Sequence, residues 1–203
     1  MITEQYGVSG KLDREIIDKY LQEVPDPGIV LNIGCGPNKD VLYNLGHTLV
    51  CHRRKSCKLI LADVNPRAVK ELQHFFVPGR IEVAVVRLSA TRLTRKLRPE
   101  TIDLILALGL FGNLSQVGPR KSSSMNDLGM LRAFRSVLKQ CCLVLKQRGV
   151  LIIGNSSDRQ PFEQFVALSR EAGFSILHWH ESQTVRGGIN PDELHYLLVL
   201  SKG

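Results

Sequence analysis

Long apolar runs are missing from this chain. The longest, Leu104 to Phe111, is far too short to cross a bilayer. The first thirty residues carry charges throughout, so no secretory leader is expected. Cysteine is sparse, odd in number at five and irregularly spaced, which fits reduced thiols in a cytoplasm better than a disulfide framework. Cys51, Cys57 and the Cys141-Cys142 pair lack the paired spacing of a zinc site. Neither a Gly-x-Ser-x-Gly elbow nor a Walker lysine loop occurs. Aromatic residues are only 6% of the chain and do not interleave with its basic clusters, so base-stacking platforms are not expected.

What remains is an ordinary globular composition, 43% hydrophobic and 23% charged over 203 residues. That length suits one domain with a full three-layer core. The formal net charge is +8, carried by clusters at His52 to Lys58, at Arg92, Arg95, Lys96 and Arg98, and at Arg120-Lys121. Such clusters are either solvated faces or contacts to an anionic partner such as RNA.

Periodicity orders the elements. Leu12, Ile16, Ile17, Tyr20, Leu21 and Val24 recur at helical spacing ahead of Pro25. Ile29 to Ile33 reads as a buried strand, and the turn Gly34-Cys35-Gly36 follows it. Val41, Leu42, Leu45 and Leu49 mark a helix after the turn. Lys58 to Ala62 is a second strand, and Asn65-Pro66 caps a helix whose face is Ala68, Val69, Leu72, Phe75 and Phe76. Ile81 to Val86 and Ile102 to Leu108 are strands with room for at most a brief helix between them. Asp127 caps a long helix with core face Leu131, Phe134, Leu138, Cys141 and Leu145, ending at Gly149, and Val150 to Ile153 is the fifth strand. A helix from Phe162 to Ala172 leads into two strands, Phe174 to His180 and Leu194 to Leu200. Their connection is too short for a crossover helix, so they should pair antiparallel. The expected architecture is α/β: a doubly wound, seven-stranded, mostly parallel sheet with a reversed last strand, in three α/β/α layers.

The chemistry gathers at the strand ends. Two glycines one residue apart let the backbone turn sharply and meet a ligand without a Cβ between them. The third glycine of a dinucleotide fingerprint is absent, Asn38 and Lys39 standing in that stretch. Asp63, ending the second strand, can accept hydrogen bonds from both hydroxyls of a ribose. A carboxylate disfavours a pyrophosphate, which leaves an adenosine without phosphates as the natural guest.

Val30 to Asn38, Leu61 to Pro66, Leu88 to Leu93, Ala107 to Leu114 and Leu145 to Leu151 together resemble, in order, the motifs of class I, Rossmann-like S-adenosylmethionine-dependent methyltransferases. The resemblance implies a methyl transfer using S-adenosyl-L-methionine, with residues 1–27 as an N-terminal helix and lid and 28–203 as the transferase domain. It implies cofactor contacts from Asn32, Gly34, Cys35, Gly36, Asp63, Val64, Ser89, Ala90, Leu108 and Gly109. Two positions where the family usually carries an acid are neutral, Asn32 and Ser89, so weaker cofactor binding or compensating contacts are expected. For a general base the candidates are Asn113 and Asp158, with Ser115, Asn155 and Ser156 beside them; His178, His180 and Glu181 are less well placed. A small-molecule acceptor is preferred, with RNA or protein as alternatives and no membrane partner. Two other readings remain: a non-catalytic relative, and an enzyme that transfers the aminocarboxypropyl group of the same cofactor.

Overall fold

The computed structural model describes residues 11–37, 56–75, 81–108, 110, 128–158, 162–183 and 193–203. Their elements run α1 (Lys11–Glu23), β1 (Gly28–Ile33), β2 (Cys57–Asp63), α2 (Pro66–Leu72), β3 (Ile81–Arg87), a 3-10 helix (Ala90–Arg95), β4 (Ile102–Leu108), α3 (Leu128–Val144), β5 (Leu145–Asp158), α4 (Phe162–Glu171), β6 (Phe174–Gln183) and β7 (Glu193–Lys202). The strands form one seven-stranded sheet in the order β3-β2-β1-β4-β5-β7-β6. All neighbours pair parallel except β7, which is antiparallel to both β5 and β6, as the short last connection requires.

Period-two burial explains the layers. Leu31 and Ile33 of β1, Ile60 and Ala62 of β2, and Ile105 and Ala107 of β4 point to one face, where α3, α4 and Leu93 of the 3-10 helix cover them. Val30, Leu59, Leu61, Leu104 and Leu106 point to the other, beneath Ile17, Tyr20, Leu21 and Val24 of α1. Both faces are buried, so the central strands are near-continuous apolar runs. On the α3 side the ring of Phe165 meets Phe134 edge-on at 4.4 Å and tilts against Tyr196 at 5.3 Å. Helix α1 belongs to a covering layer; the lid expected ahead of it lies outside the described residues, as do the helix marked by Val41 to Leu49 and the helix cap Asp127.

Two boundaries differ from the sequence reading. Helix α3 stops at Val144, and β5 begins at Leu145 rather than Val150. The register with β4 jumps from Ile102–Leu145 to Leu104–Val150, so Lys146 to Gly149 bulge out of the ladder, with Arg148 at φ 62°. A Cβ on Gly149 would sit 2.9 Å from the Lys146 carbonyl oxygen, so its role is close packing in that bulge and not the end of the helix. Helix α2 likewise ends at Leu72, although the buried Phe75 continues its apolar face.

At the amino edge of the sheet Asp103 ties three segments together. Its carboxylate accepts the Ile29 amide at 2.8 Å and the Lys146 ammonium at 2.8 Å, with the Asp103 side chain 8% exposed. A cavity of about 280 Å³ opens beside this pair, lined by Tyr20, Glu23 and Arg148 among others. Hydrogen bonds to a charged group contribute roughly 1.5–3 kcal/mol each, and Asp103→Ala leaves the Ile29 amide without its acceptor. We expect that variant to lose about 2–3 kcal/mol in urea unfolding; an unchanged midpoint would show that the pair adds nothing.

Candidate functional site

The chain leaves β1 toward β2 and β3 on one side and reaches β4 and β5 on the other. The carboxyl ends of β1 and β4 therefore flank the point where the strand order reverses, the usual ligand crevice of an open α/β sheet. The glycine turn sits there. Gly34 and Gly36 adopt φ of 69° and 61°, a left-handed conformation that strains any residue with a Cβ. The Gly34 and Cys35 amides both point at the Ala62 carbonyl, at 2.8 and 3.4 Å, folding the turn over the end of β2. Beneath it, the Leu110 side chain would stand 2.7 Å from a Cβ at Gly34.

Asp63 organises this edge. One carboxylate oxygen accepts the Gly36 amide at 2.9 Å and the other the Asn65 amide at 2.8 Å, while the Asp63 carbonyl accepts Leu88 N–H at 2.9 Å. Three loops, after β1, β2 and β3, are thus held by one residue that is only 9% exposed. A carboxylate offers about four acceptor positions, so roughly two remain for a ligand's hydroxyls. Asn65 also caps α2, its side-chain oxygen accepting Arg67 N–H at 2.9 Å with Pro66 at the first helical turn, as the sequence implies.

The other expected cofactor residues fall around this centre. Asn32 is buried, 4% exposed, on the Val30 face of β1 and next to the turn. Val64 is the opposite case, an apolar side chain 59% exposed directly after Asp63. Ser89 and Ala90 are half-buried at the end of β3, and Leu108 is half-buried at the end of β4. The Ser89 hydroxyl has a structural duty: it caps the 3-10 helix, accepting Thr91 N–H at 3.4 Å and sharing a hydrogen bond with the Thr91 hydroxyl at 3.0 Å. Arg87 was not anticipated. It pairs in register with Asp63, and its Nε donates to the Val64 carbonyl at 3.3 Å, bracing the exposed valine. A basic residue closing the third strand beside the Asp63 turn was the available signal.

The candidate bases that the structure describes lie along β5 and β6. Asn113, Ser115 and Gly109 lie outside the described residues. Asn155, Ser156 and Asp158 were expected in a loop after β5 but belong to the strand itself, facing Tyr196, His195 and Glu193 of β7 in register. The pairing with β4 ends at Leu108–Gly154, so Asp158 lies about 13 Å further along the extended strand. The antiparallel partner β7 carries β5 past the rest of the sheet, and Asn155 is the residue level with the crevice. His178 and His180 are both half-buried on one side of β6, with Leu177 and Trp179 exposed on the other. Among the described residues no cluster of His, Cys, Asp or Glu could hold a metal ion, and no helix is long and apolar enough to cross a membrane.

No family model and no curated protein matches the chain. Solved structures do. A S-adenosylmethionine-dependent methyltransferase from Methanosarcina mazei is similar with a TM-score of 0.59 and 15% identity, over 92% of this chain and 96% of that one. The N-methyltransferase NodS from Bradyrhizobium japonicum, solved with S-adenosyl-L-homocysteine, gives 0.58 and 17% over 98% and 90%. The [4+2]-cyclase SpnF gives 0.61 and 16% over 98% and 85%. The chain therefore has the fold of the Rossmann-like methyltransferases, on which more than one chemistry is built.

Burial, and secondarily the Asp63 carboxylate, pushes the Cys35 thiol up from 9.0 to about 12. A thiol whose folded value is raised supports the native state below its unfolded value and loses that support as pH climbs toward the folded one. Stability should fall above pH 9.0, and Cys35→Ala should flatten that alkaline limb by up to about 1.4 kcal/mol per pH unit. Cys141 and Cys142, whose thiols are also raised, keep part of it. Superimposable limbs for the two proteins would exclude Cys35 as a source.

Proposed function

We propose that this chain is a S-adenosyl-L-methionine-dependent methyltransferase whose cofactor lies across the Gly34–Gly36 turn. The observation that carries the reading is Asp63: a carboxylate at the end of β2, aimed by two backbone amides and with acceptor capacity left for a ribose. The fit is supported by the turn's glycines, which let a ligand approach the backbone, and by exposed Val64, which offers an apolar surface for adenine. Gly34, Cys35 and Gly36 would follow the methionine portion, Asn32 would orient the turn near its ammonium, and Ser89 and Ala90 would meet the adenine edge. Leu108 and Gly109 would close the cofactor from β4. None of the four described cysteines is in a disulfide, which supports a reducing, cytoplasmic setting.

When bound, the cofactor supplies a methyl group on a sulfonium, already an activated leaving group. The protein's share is then alignment and exclusion of water. An acceptor would enter above the ends of β4 and β5, where Asn155 stands level with the crevice and Asn113 follows in sequence. The acceptor would be a free small molecule or a group carried on a larger partner. A second reading, a binding protein without transfer, is favoured by neutral Asn32 and Ser89, since a neutral acceptor is worth roughly 0.5–1.5 kcal/mol against 1.5–3 for a charged one.

Calorimetry with S-adenosyl-L-homocysteine tests the cofactor. Binding should be abolished or strongly weakened by Asp63→Ala and tightened by Asn32→Asp, and ligand at about a hundred times its dissociation constant should stabilise the fold by roughly 2.7 kcal/mol. No binding at millimolar ligand would sink the proposal. Release of S-adenosyl-L-homocysteine, rather than methylthioadenosine, separates methyl transfer from aminocarboxypropyl transfer.

A further inference from the structure

Among the described residues, positive charge gathers along one seam of helices. The 3-10 helix Ala90–Arg95 and α3 pack together on one face of the sheet. The Thr94 amide and hydroxyl both donate to Gln140 Oε1, each at 3.0 Å. Arg95 and Lys139 are the chain neighbours of those two residues. Arg92, Arg95, Lys96 and Arg98 on one side of the seam, and Arg132 and Lys139 on the other, are all exposed. None of the six side chains has a hydrogen-bond or ion-pair partner among the described residues. No acidic residue occurs from Ala90 to Arg98 or anywhere in α3. The remaining cation of α3, Arg135, is neutralised by Glu171 of α4 at 2.9 Å. Helix α1, which lies on the opposite face, has Asp13, Glu15, Asp18 and Glu23 against Lys11, Arg14 and Lys19, so it carries no such excess of positive charge.

Unpaired cations along one seam repel one another, and a polyanion that covers them gains by releasing its own counterions. Three observations select the polyanion. Four of the six cations are arginines, whose planar forks match phosphate oxygens two at a time. The apolar face of α3 (Phe134, Val137, Leu138, Cys141) is buried in the core, and Leu143 is the one exposed large apolar side chain among its described residues, too little for a stripe that enters a membrane. Among the described residues the seam exposes no aromatic side chain, and Leu143 alone is far from the aromatic and apolar centre typical of a protein interface. The row starts at the site itself, because Arg92 N–H donates to the Ser89 carbonyl at 2.9 Å. A nucleotide must leave its stack to be modified, and unpaired RNA presents such nucleotides.

We infer that the seam between the 3-10 helix and α3 binds the phosphodiester backbone of single-stranded RNA, and that this RNA carries the methyl acceptor. The second clause rests on the methyl-transfer reading above. In the step it serves, the methyl–sulfur bond breaks with its electron pair staying on sulfur, which becomes a neutral thioether. A nitrogen or oxygen lone pair of the nucleotide forms the new bond, and the proton displaced there passes to water.

Fluorescence anisotropy with a labelled, mixed-sequence single-stranded RNA, run from about 50 to about 200 mM salt, tests this on the full chain. Affinity should fall steeply with salt. The double variant Arg95→Gln, Lys96→Gln should flatten the log–log slope by about 1.4, at about 0.7 for each phosphate no longer neutralised. Lys19→Gln with Lys70→Gln removes the same charge from exposed positions on α1 and α2 and should leave the slope unchanged. Equal slopes for the two double variants, or tighter binding to DNA of the same sequence, to anionic vesicles or to polyglutamate than to RNA, would overturn the inference. S-adenosyl-L-homocysteine binding should be the same in all these proteins. Its loss in the parent chain would refute the methyl-transfer reading, whereas lost RNA binding with the cofactor still bound refutes only the RNA partner.

Discussion

One carboxylate holds the working edge of this molecule together. Asp63 draws the Gly36 amide from the first loop and the Asn65 amide from the second onto its two oxygens, and its own carbonyl anchors Leu88 in the third. Each charge-assisted bond contributes roughly 1.5–3 kcal/mol. The larger consequence is geometric. The two glycines are kept in a left-handed turn with no Cβ over the backbone, and the carboxylate is aimed by the protein's own amides. Pre-set geometry of this kind lowers the ordering cost of binding.

The sheet supplies the frame for that edge. Strands buried on both faces fix the register of β1, β2 and β4, so three loops end at a common level and face one crevice. Beyond the crevice the antiparallel β7 extends β5 past Gly154 and lifts Asp158 away from it. The helical layers differ in kind. The α1 layer mixes charges of both signs, whereas the layer of α3 and the 3-10 helix carries a cationic seam that begins one turn from Ser89.

Much of this was legible because the signals are local. The apolar runs of β1, β2 and β4 are fully buried strands, and Asn65-Pro66 caps and opens a helix just as its chemistry demands. The fold class and the place of Asp63 followed from those runs. The amide bonds of Asp63 did not, since Gly36 is 27 residues away in the chain. The start of β5 was misplaced because Leu145 continues the helical face of α3 and Gly149 looks like a helix stop. Its strand character comes from pairing with Ile102 across a bulge, a long-range pairing that no local pattern encodes. Asp158 falls within β5 rather than after it for a related reason, because that end of the strand pairs only with β7. Ser89 follows the third strand as the apolar pattern implies, but the cap it provides for the 3-10 helix is visible only in three dimensions.

The most direct measurement is a crystal structure of the chain with S-adenosyl-L-homocysteine. The account predicts both ribose hydroxyls at about 2.5–3.0 Å from the Asp63 oxygens, with the Gly36 and Asn65 amides still bonded to the same carboxylate. A nucleoside bound elsewhere, or an Asp63 side chain turned away from those amides to receive it, would contradict the claim that this residue both builds the site and reads its ligand.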